Sequence, residues 1–158
     1  MKIICFTGHR KDCQLSIEYI IKKLNQLINK INDDILFISG GAEGFDTISA
    51  LSVIKLKEKY PNIKLEMAIP FKEYRNDLEF KKILYNADVI NYIDEIKGYT
   101  NPIVPIGKYH MGKLFARNRY MVDKSDIIIA FWNNKQKGGT YETINYSKLK
   151  NKKLLFIK

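Results

Sequence analysis

The sequence predicts an α/β fold: a mostly parallel sheet covered by helices on both faces, three layers in all. Short apolar runs alternate with longer segments of helical period along the whole chain. Several of these runs, such as Ile35-Leu36-Phe37-Ile38, are apolar at every position, as strands buried on both faces require. The glycine-rich and polar stretches each follow an apolar run, so they gather at the carboxyl edge of the sheet, where ligands bind in this architecture.

In chain order, residues 2–6 read as the first strand and Thr7-Gly8-His9-Arg10 as a tight polar loop. Ile17, Ile20, Ile21, Leu24, Leu27, Ile28 and Ile31 recur at three- and four-residue steps and predict a helix over 14–31. Residues 35–38 are the second strand, 39–46 a glycine turn, and 47–59 a helix carrying Ile48, Leu51, Ile54 and Leu56. A third strand spans 65–69, closed by Pro70. A helix over 76–85 leads to a fourth strand at 88–93. Residues 98–112 hold Pro102, Pro105 and Gly107 and show no period; such a long loop is often a lid or a binding loop. Then come a helix at 111–124, an apolar strand at 126–132, a polar loop at 133–138, a helix at 139–150 and a last strand at 154–157.

At 158 residues and 46% hydrophobic content, the chain is expected to form one globular domain over 1–158. Its 27 basic and 17 acidic residues give a net charge of +10, which favours anionic partners without naming one. Lys55, Lys57 and Lys59 read as a solvated helix face. Cys5 lies in an apolar run and reads as core, and Cys13 lies in a loop; two cysteines make no disulfide framework. The chain enters a strand at once and has no apolar run near 18 residues, so a cytoplasmic protein without a membrane segment is expected. With two histidines and no cluster of metal-site spacing, neither a metal nor a cofactor is expected.

Ser39-Gly40-Gly41-Ala42-Glu43-Gly44-Phe45-Asp46 reads as strand, turn and helix start. Ser39, Gly40, Gly41 and Gly44 are candidates for a phosphate cradle, because glycine lets the backbone approach a ligand and a helix N-terminus attracts an anion. A plain turn, with glycine relieving strain, is the other reading. Asp46 either braces the loop or accepts a ribose hydroxyl. Thr7, Gly8, His9 and Arg10 put a hydroxyl, an imidazole and a guanidinium at one strand end, where the planar fork of Arg10 suits phosphate. Arg117 and Arg119 flank Asn118 near a helix start, and Arg117 is the one expected to reach the sheet edge. Gly138, Gly139 and Thr140 form a second strand-loop-helix anion site. Glu142, in the first turn beyond, is either a dipole-stabilising carboxylate or a catalytic one.

Together, Phe6-Thr7-Gly8-His9-Arg10, Ile38 to Asp46, Ala68-Ile69-Pro70-Phe71, Arg117 to Asp126 and Gly138-Gly139-Thr140 resemble the SLOG superfamily. The closer resemblance is to its YspA/YpsA-related branch of small bacterial and phage proteins. The resemblance covers nearly the whole chain in the right order. It implies a Rossmann-like fold, binding of a nucleotide or nucleotide-derived signal, and self-association. The superfamily includes the LOG phosphoribohydrolases, which cleave the N-glycosidic bond of nucleoside monophosphates, and DprA, which binds single-stranded DNA. Arg117 falls at the matching LOG arginine. The LOG glycine motif departs here: it lacks its proline, is one glycine short, and has Thr143 where the LOG glutamate would stand.

Three functions follow. The first is sensing or sequestration of a nucleotide-derived ligand. The second is nucleotide N-glycosidase chemistry using Arg117 with Glu142 or Asp46, which needs a carboxylate to stabilise the sugar cation or activate water. The third is single-stranded DNA binding through the positive charge and Tyr99, Tyr109, Tyr120 and Trp132.

Overall fold

A computed structural model describes residues 1–10 and 14–158; Cys13 lies outside the described residues. The elements are β1 (Lys2–Gly8), α1 (Ile17–Lys30), β2 (Ile35–Ser39), α2 (Phe45–Lys57), β3 (Ile63–Ile69), α3 (Leu78–Asn86), β4 (Val89–Tyr92), α4 (Met111–Lys124), β5 (Ile127–Phe131), α5 (Gly139–Leu149) and β6 (Lys153–Phe156), with a single 3-10 turn at Ile93–Glu95. The six strands form one sheet in the order β4-β3-β2-β1-β5-β6, and every neighbouring pair is parallel. The predicted α/β sandwich is present.

The strands are apolar on both sides because both sides are covered. Ile4, Phe6, Phe37, Leu65, Met67 and Ile129 point into a core closed by α1, α2 and α3. Cys5, Leu36, Ile38, Ala68 and Ile128 point the other way, against Tyr120, Met121 and Val122 of α4 and Tyr146 of α5. Burial of the Cys5 thiol pushes its pKa up to about 12, so it behaves as an apolar core group.

Helix starts follow their caps. The side chain of Ser16 accepts a hydrogen bond from the Tyr19 amide, so α1 begins three residues later than periodicity alone places it. Asp77 caps α3 in the same way through the Phe80 amide. β1 runs two residues past the expected end: Thr7 and Gly8 pair with Ala130 and Phe131, so they belong to the sheet and not to a loop. Gly8 can have no side chain there, because a Cβ would lie 2.5 Å from the Phe45 ring. Lys57 is not merely solvated. Its ammonium lies 2.7 Å from Asp88 and 3.0 Å from the Asn86 carbonyl, fastening α2 to the start of β4.

The segment between the 3-10 turn and α4 has a mechanical reason for its length. The chain must pass from β4, at one edge, to β5, four strand positions away, a lateral step of about 19 Å. It is tied down by a fully buried ion pair, with Lys113 Nζ 2.9 Å from Asp94 Oδ2. The same carboxylate oxygen accepts from the Gly107 amide at 2.9 Å, and Lys113 also donates to the Pro105 carbonyl at 2.7 Å. Lys113→Ala leaves the Asp94 charge buried without its counter-ion, with only the Gly107 amide donating to it. We expect it to cost about 3–5 kcal/mol in urea denaturation, against about 0.5 kcal/mol or less for Lys55→Ala in a surface pair. Equal losses in the two variants would show that the pair does not anchor the crossover.

Candidate functional site

The strand order turns around between β1 and β5, where the connections leave in opposite directions. A cleft of about 200 Å³ opens there, at the carboxyl edge. Its wall is made by Thr7, Gly8, His9 and Arg10 at the end of β1, Ala42 and Asp46 of the glycine turn, Arg117 and Asn118 of α4, and Lys137, Gly138, Gly139 and Thr140 at the start of α5. Phe6, a core residue, also borders it.

Arg117 organises the cleft. It sits in the middle of α4, not near its start, and is 3% exposed. Its Nη1 donates to the Gly40 carbonyl, its Nε donates to Asn118 Oδ1 at 2.9 Å, and its guanidinium lies 5.7 Å from the centre of the Tyr74 ring. A Cβ on Gly40 would come within 2.6 Å of Nη1. Gly40 is therefore a glycine so that Arg117 can enter.

The glycine turn is held by the protein's own groups. Arg75 Nη1 donates to the Gly41 carbonyl at 2.9 Å and to Thr47 Oγ1 at 2.8 Å, and Thr47 donates to the Ala42 carbonyl at 2.7 Å. Ser39, fully buried, donates to the Asp46 carbonyl and accepts from the Gly41 amide. The Phe45 amide, first in α2, donates to the His9 carbonyl. Gly44 has φ +82°, and a Cβ there would meet the Arg10 carbonyl at 2.2 Å. Ser39, Gly40, Gly41 and Gly44 thus pack and brace the turn, and none of them lines the cleft. At this turn, expected as a phosphate cradle, the Gly41, Ala42 and Phe45 amides and the Gly40, Gly41 and Ala42 carbonyls already have protein partners, and Asp46 stands in the first turn of α2.

Asp46 Oδ2 accepts from the Ala42 amide at 3.4 Å, as loop bracing anticipates, yet the side chain also forms part of the cleft wall. Burial raises its carboxyl from the ordinary 3.8 to about 6, against the opposing pull of Arg117, the Ala42 amide and Arg10. His9 Nε2 accepts from the Asn133 amide at 2.8 Å, so the loop after β5 is fastened to β1 through a neutral imidazole. Burial, and then Lys135, lower its pKa to match.

The start of α5 is arranged differently. Gly138 occupies the cap position with φ +97° and no side-chain cap, and Gly139 and Thr140 follow in the cleft wall. The first amides of a helix and the positive end of its dipole favour an anion, and Arg10, Arg117 and Lys137 line the same cleft as this helix start. Glu142 is not part of this wall. It lines an adjoining hollow with Phe115, Asn118, Arg119, Thr143 and Tyr146. Thr143, at the position of the LOG glutamate, donates to the Gly139 carbonyl at 2.8 Å.

Asn118 and Lys137 join the cleft without having been singled out. Their signal was position, one residue after Arg117 and one before Gly138. No residue of the long crossover lines the cleft. The four aromatics considered for DNA stacking are dispersed: Tyr99 packs edge-on against buried Tyr120, Tyr109 edge-on against Phe71, and Trp132 stacks on Tyr141. Among the described residues, no group of three or more His, Cys, Asp or Glu is placed to hold a metal ion, and no helix is long and apolar enough to cross a membrane.

Comparison with known proteins places this geometry. The YspA SLOG family matches residues 2–157. The SPbeta prophage-derived protein YoqJ of Bacillus subtilis strain 168 is 34% identical over 135 residues, covering 82% of this chain and 78% of its own. A UPF0398 protein of Bacillus cereus strain ATCC 14579 is 24% identical over 160 residues, covering 95% and 84%. The X-ray structure of TM1055 superposes with a TM-score of 0.57 at 15% identity, covering 98% of this chain and 72% of that one, which supports the fold alone.

Asp46 gives a pH signature. Its folded-state pKa lies above the unfolded one, so the folded protein binds this proton more tightly. The resulting stabilisation is complete below about pH 4 and is lost as the pH rises through about 6. Asp46→Asn removes that proton. The Tm of the unmodified protein is expected to fall relative to the variant's between pH 4 and 7; a pH-independent difference would place the titration elsewhere.

Proposed function

The chain belongs to the YspA SLOG family, and from that premise we propose that it binds a nucleotide or nucleotide-derived small molecule by its phosphate in the cleft at the carboxyl edge. The observation that carries this is the α5 N-terminus: a helix start without a side-chain cap in a cleft lined also by Arg10, Arg117 and Lys137, with the buried carboxylate of Asp46 in the same wall. At about 200 Å³ the cleft is smaller than the roughly 300 Å³ at which pockets for whole small molecules begin. It suits a phosphate and its sugar.

Binding without turnover is favoured over N-glycosidase chemistry by the absence of Glu142 from the cleft wall and by the hydrogen bond that occupies Thr143. Asp46 supports a second reading. A buried carboxyl titrating at about 6 beside a sugar site has the properties of a general acid or base. Release of free base from a nucleoside monophosphate, abolished in Asp46→Asn, would establish that chemistry.

Calorimetric titration with inorganic phosphate and the four nucleoside monophosphates tests the main reading. We expect at least one nucleotide to bind. Arg10 and Lys137 are exposed, so Arg10→Ala and Lys137→Ala should leave Tm unchanged. Each should weaken binding about tenfold, the loss of one charge-assisted hydrogen bond. Silence with all five anions at millimolar concentration would sink it.

A further inference from the structure

We propose that the hollow between α4 and α5, lined by Phe115, Asn118, Arg119, Glu142, Thr143 and Tyr146, receives the nucleobase of the ligand whose phosphate lies in the cleft. This rests on the phosphate reading and adds to it a second subsite and the class of group that fills it.

Continuity is the first ground. Asn118 belongs to both walls, so cleft and hollow meet at one side chain, with the start of α5 on their common rim. Size is the second. The hollow holds about 260 Å³, and neither space alone reaches the range for a nucleotide-sized ligand, whereas the two joined do.

The chemistry of the lining is the third ground. A base is a flat apolar ring with a polar edge. Phe115 is 40% exposed, which leaves ring surface free. Tyr146 is held in place, because its hydroxyl donates to Asp123 at 2.6 Å. Asn118, Arg119 and Glu142 line the same hollow and supply donors and acceptors for the edge of a base. Glu142 thereby acquires a role that its absence from the cleft otherwise leaves open: a carboxylate kept off the phosphate and free to accept from an exocyclic amino group.

The cleft has another neighbour, a hollow lined by Arg10, Glu43, Tyr74 and Arg75. It is the poorer host. Tyr74 already packs edge-on against Phe71 and Phe80 and lies under the Arg117 guanidinium. Arg75 is committed to Gly41, Thr47 and Asp77.

The test compares ribose 5-phosphate, which has no base, with AMP, GMP, CMP and UMP by calorimetric titration. In the unmodified protein at least one nucleotide should bind about tenfold tighter than ribose 5-phosphate, the scale of one base-aromatic stack. Phe115→Ala should erase that preference while ribose 5-phosphate keeps its affinity, and Glu142→Gln should change the ranking among the bases. Arg119→Ala, at another exposed position, replaces Phe115→Ala if the latter unfolds. Ribose 5-phosphate binding as tightly as every nucleotide, or a preference that survives both Phe115→Ala and Arg119→Ala, overturns the base subsite and leaves the phosphate reading standing. Failure of all five sugar phosphates to bind removes the phosphate reading and this subsite with it.

Discussion

The contact on which the cleft depends is the one between the Arg117 guanidinium and the Gly40 carbonyl. It joins α4 to the turn after β2 across 77 residues of sequence. A buried guanidinium is tolerated only when its charge and donors are answered. Here the Gly40 carbonyl and Asn118 accept its hydrogens, Tyr74 offers its ring, and Asp46 supplies opposite charge. Each of those partners is fixed in turn by its neighbours. A Cβ on Gly40 would collide with the Arg117 guanidinium and push it from its place in the wall of the cleft.

That contact also explains why two similar glycine-rich helix starts differ. At α2 the carbonyls of Gly40 and Gly41 are held by Arg117 and Arg75, and a carboxylate stands in the first turn. The turn has become scaffold. At α5, Gly138 and Gly139 carry no such load, and a Cβ on Gly138 would meet open space. That open start is the ground for the phosphate site proposed above. The braced turn positions Arg117 and Asp46, and the open one offers the amides.

The face of the sheet that α4 covers shows the same principle of paired burial. Glu66, fully buried on β3, accepts from the Tyr120 hydroxyl at 2.8 Å and lies 2.6 Å from the Lys124 ammonium. With Asp94–Lys113 it fixes α4 against the sheet at both ends of the helix, and Arg117 lies between them. A side chain acting within a cleft needs such a support, because a small tilt of α4 would move the guanidinium off the Gly40 carbonyl.

Much of this was legible in the chain itself. Apolar runs alternating with helical periods specify a doubly covered parallel sheet, because each strand must bury both faces. The motifs from Phe6 to Thr140, in their order, identified the family. Thr7, Gly8, His9, Arg10, Asp46, Arg117, Gly138, Gly139 and Thr140 were named from sequence and do line one cleft, since all but Arg117 end or follow strands whose carboxyl ends share an edge. Tertiary packing decided the rest. A glycine that admits a ligand and a glycine that admits Arg117 look alike in sequence, and only the contact made over 77 residues tells them apart. Glu142 lies near Thr140 in sequence yet faces away from the cleft, because the helical turn carries its side chain toward α4. Local chemistry put donors and charges at one edge of the sheet; long-range packing decided which of them already have protein partners.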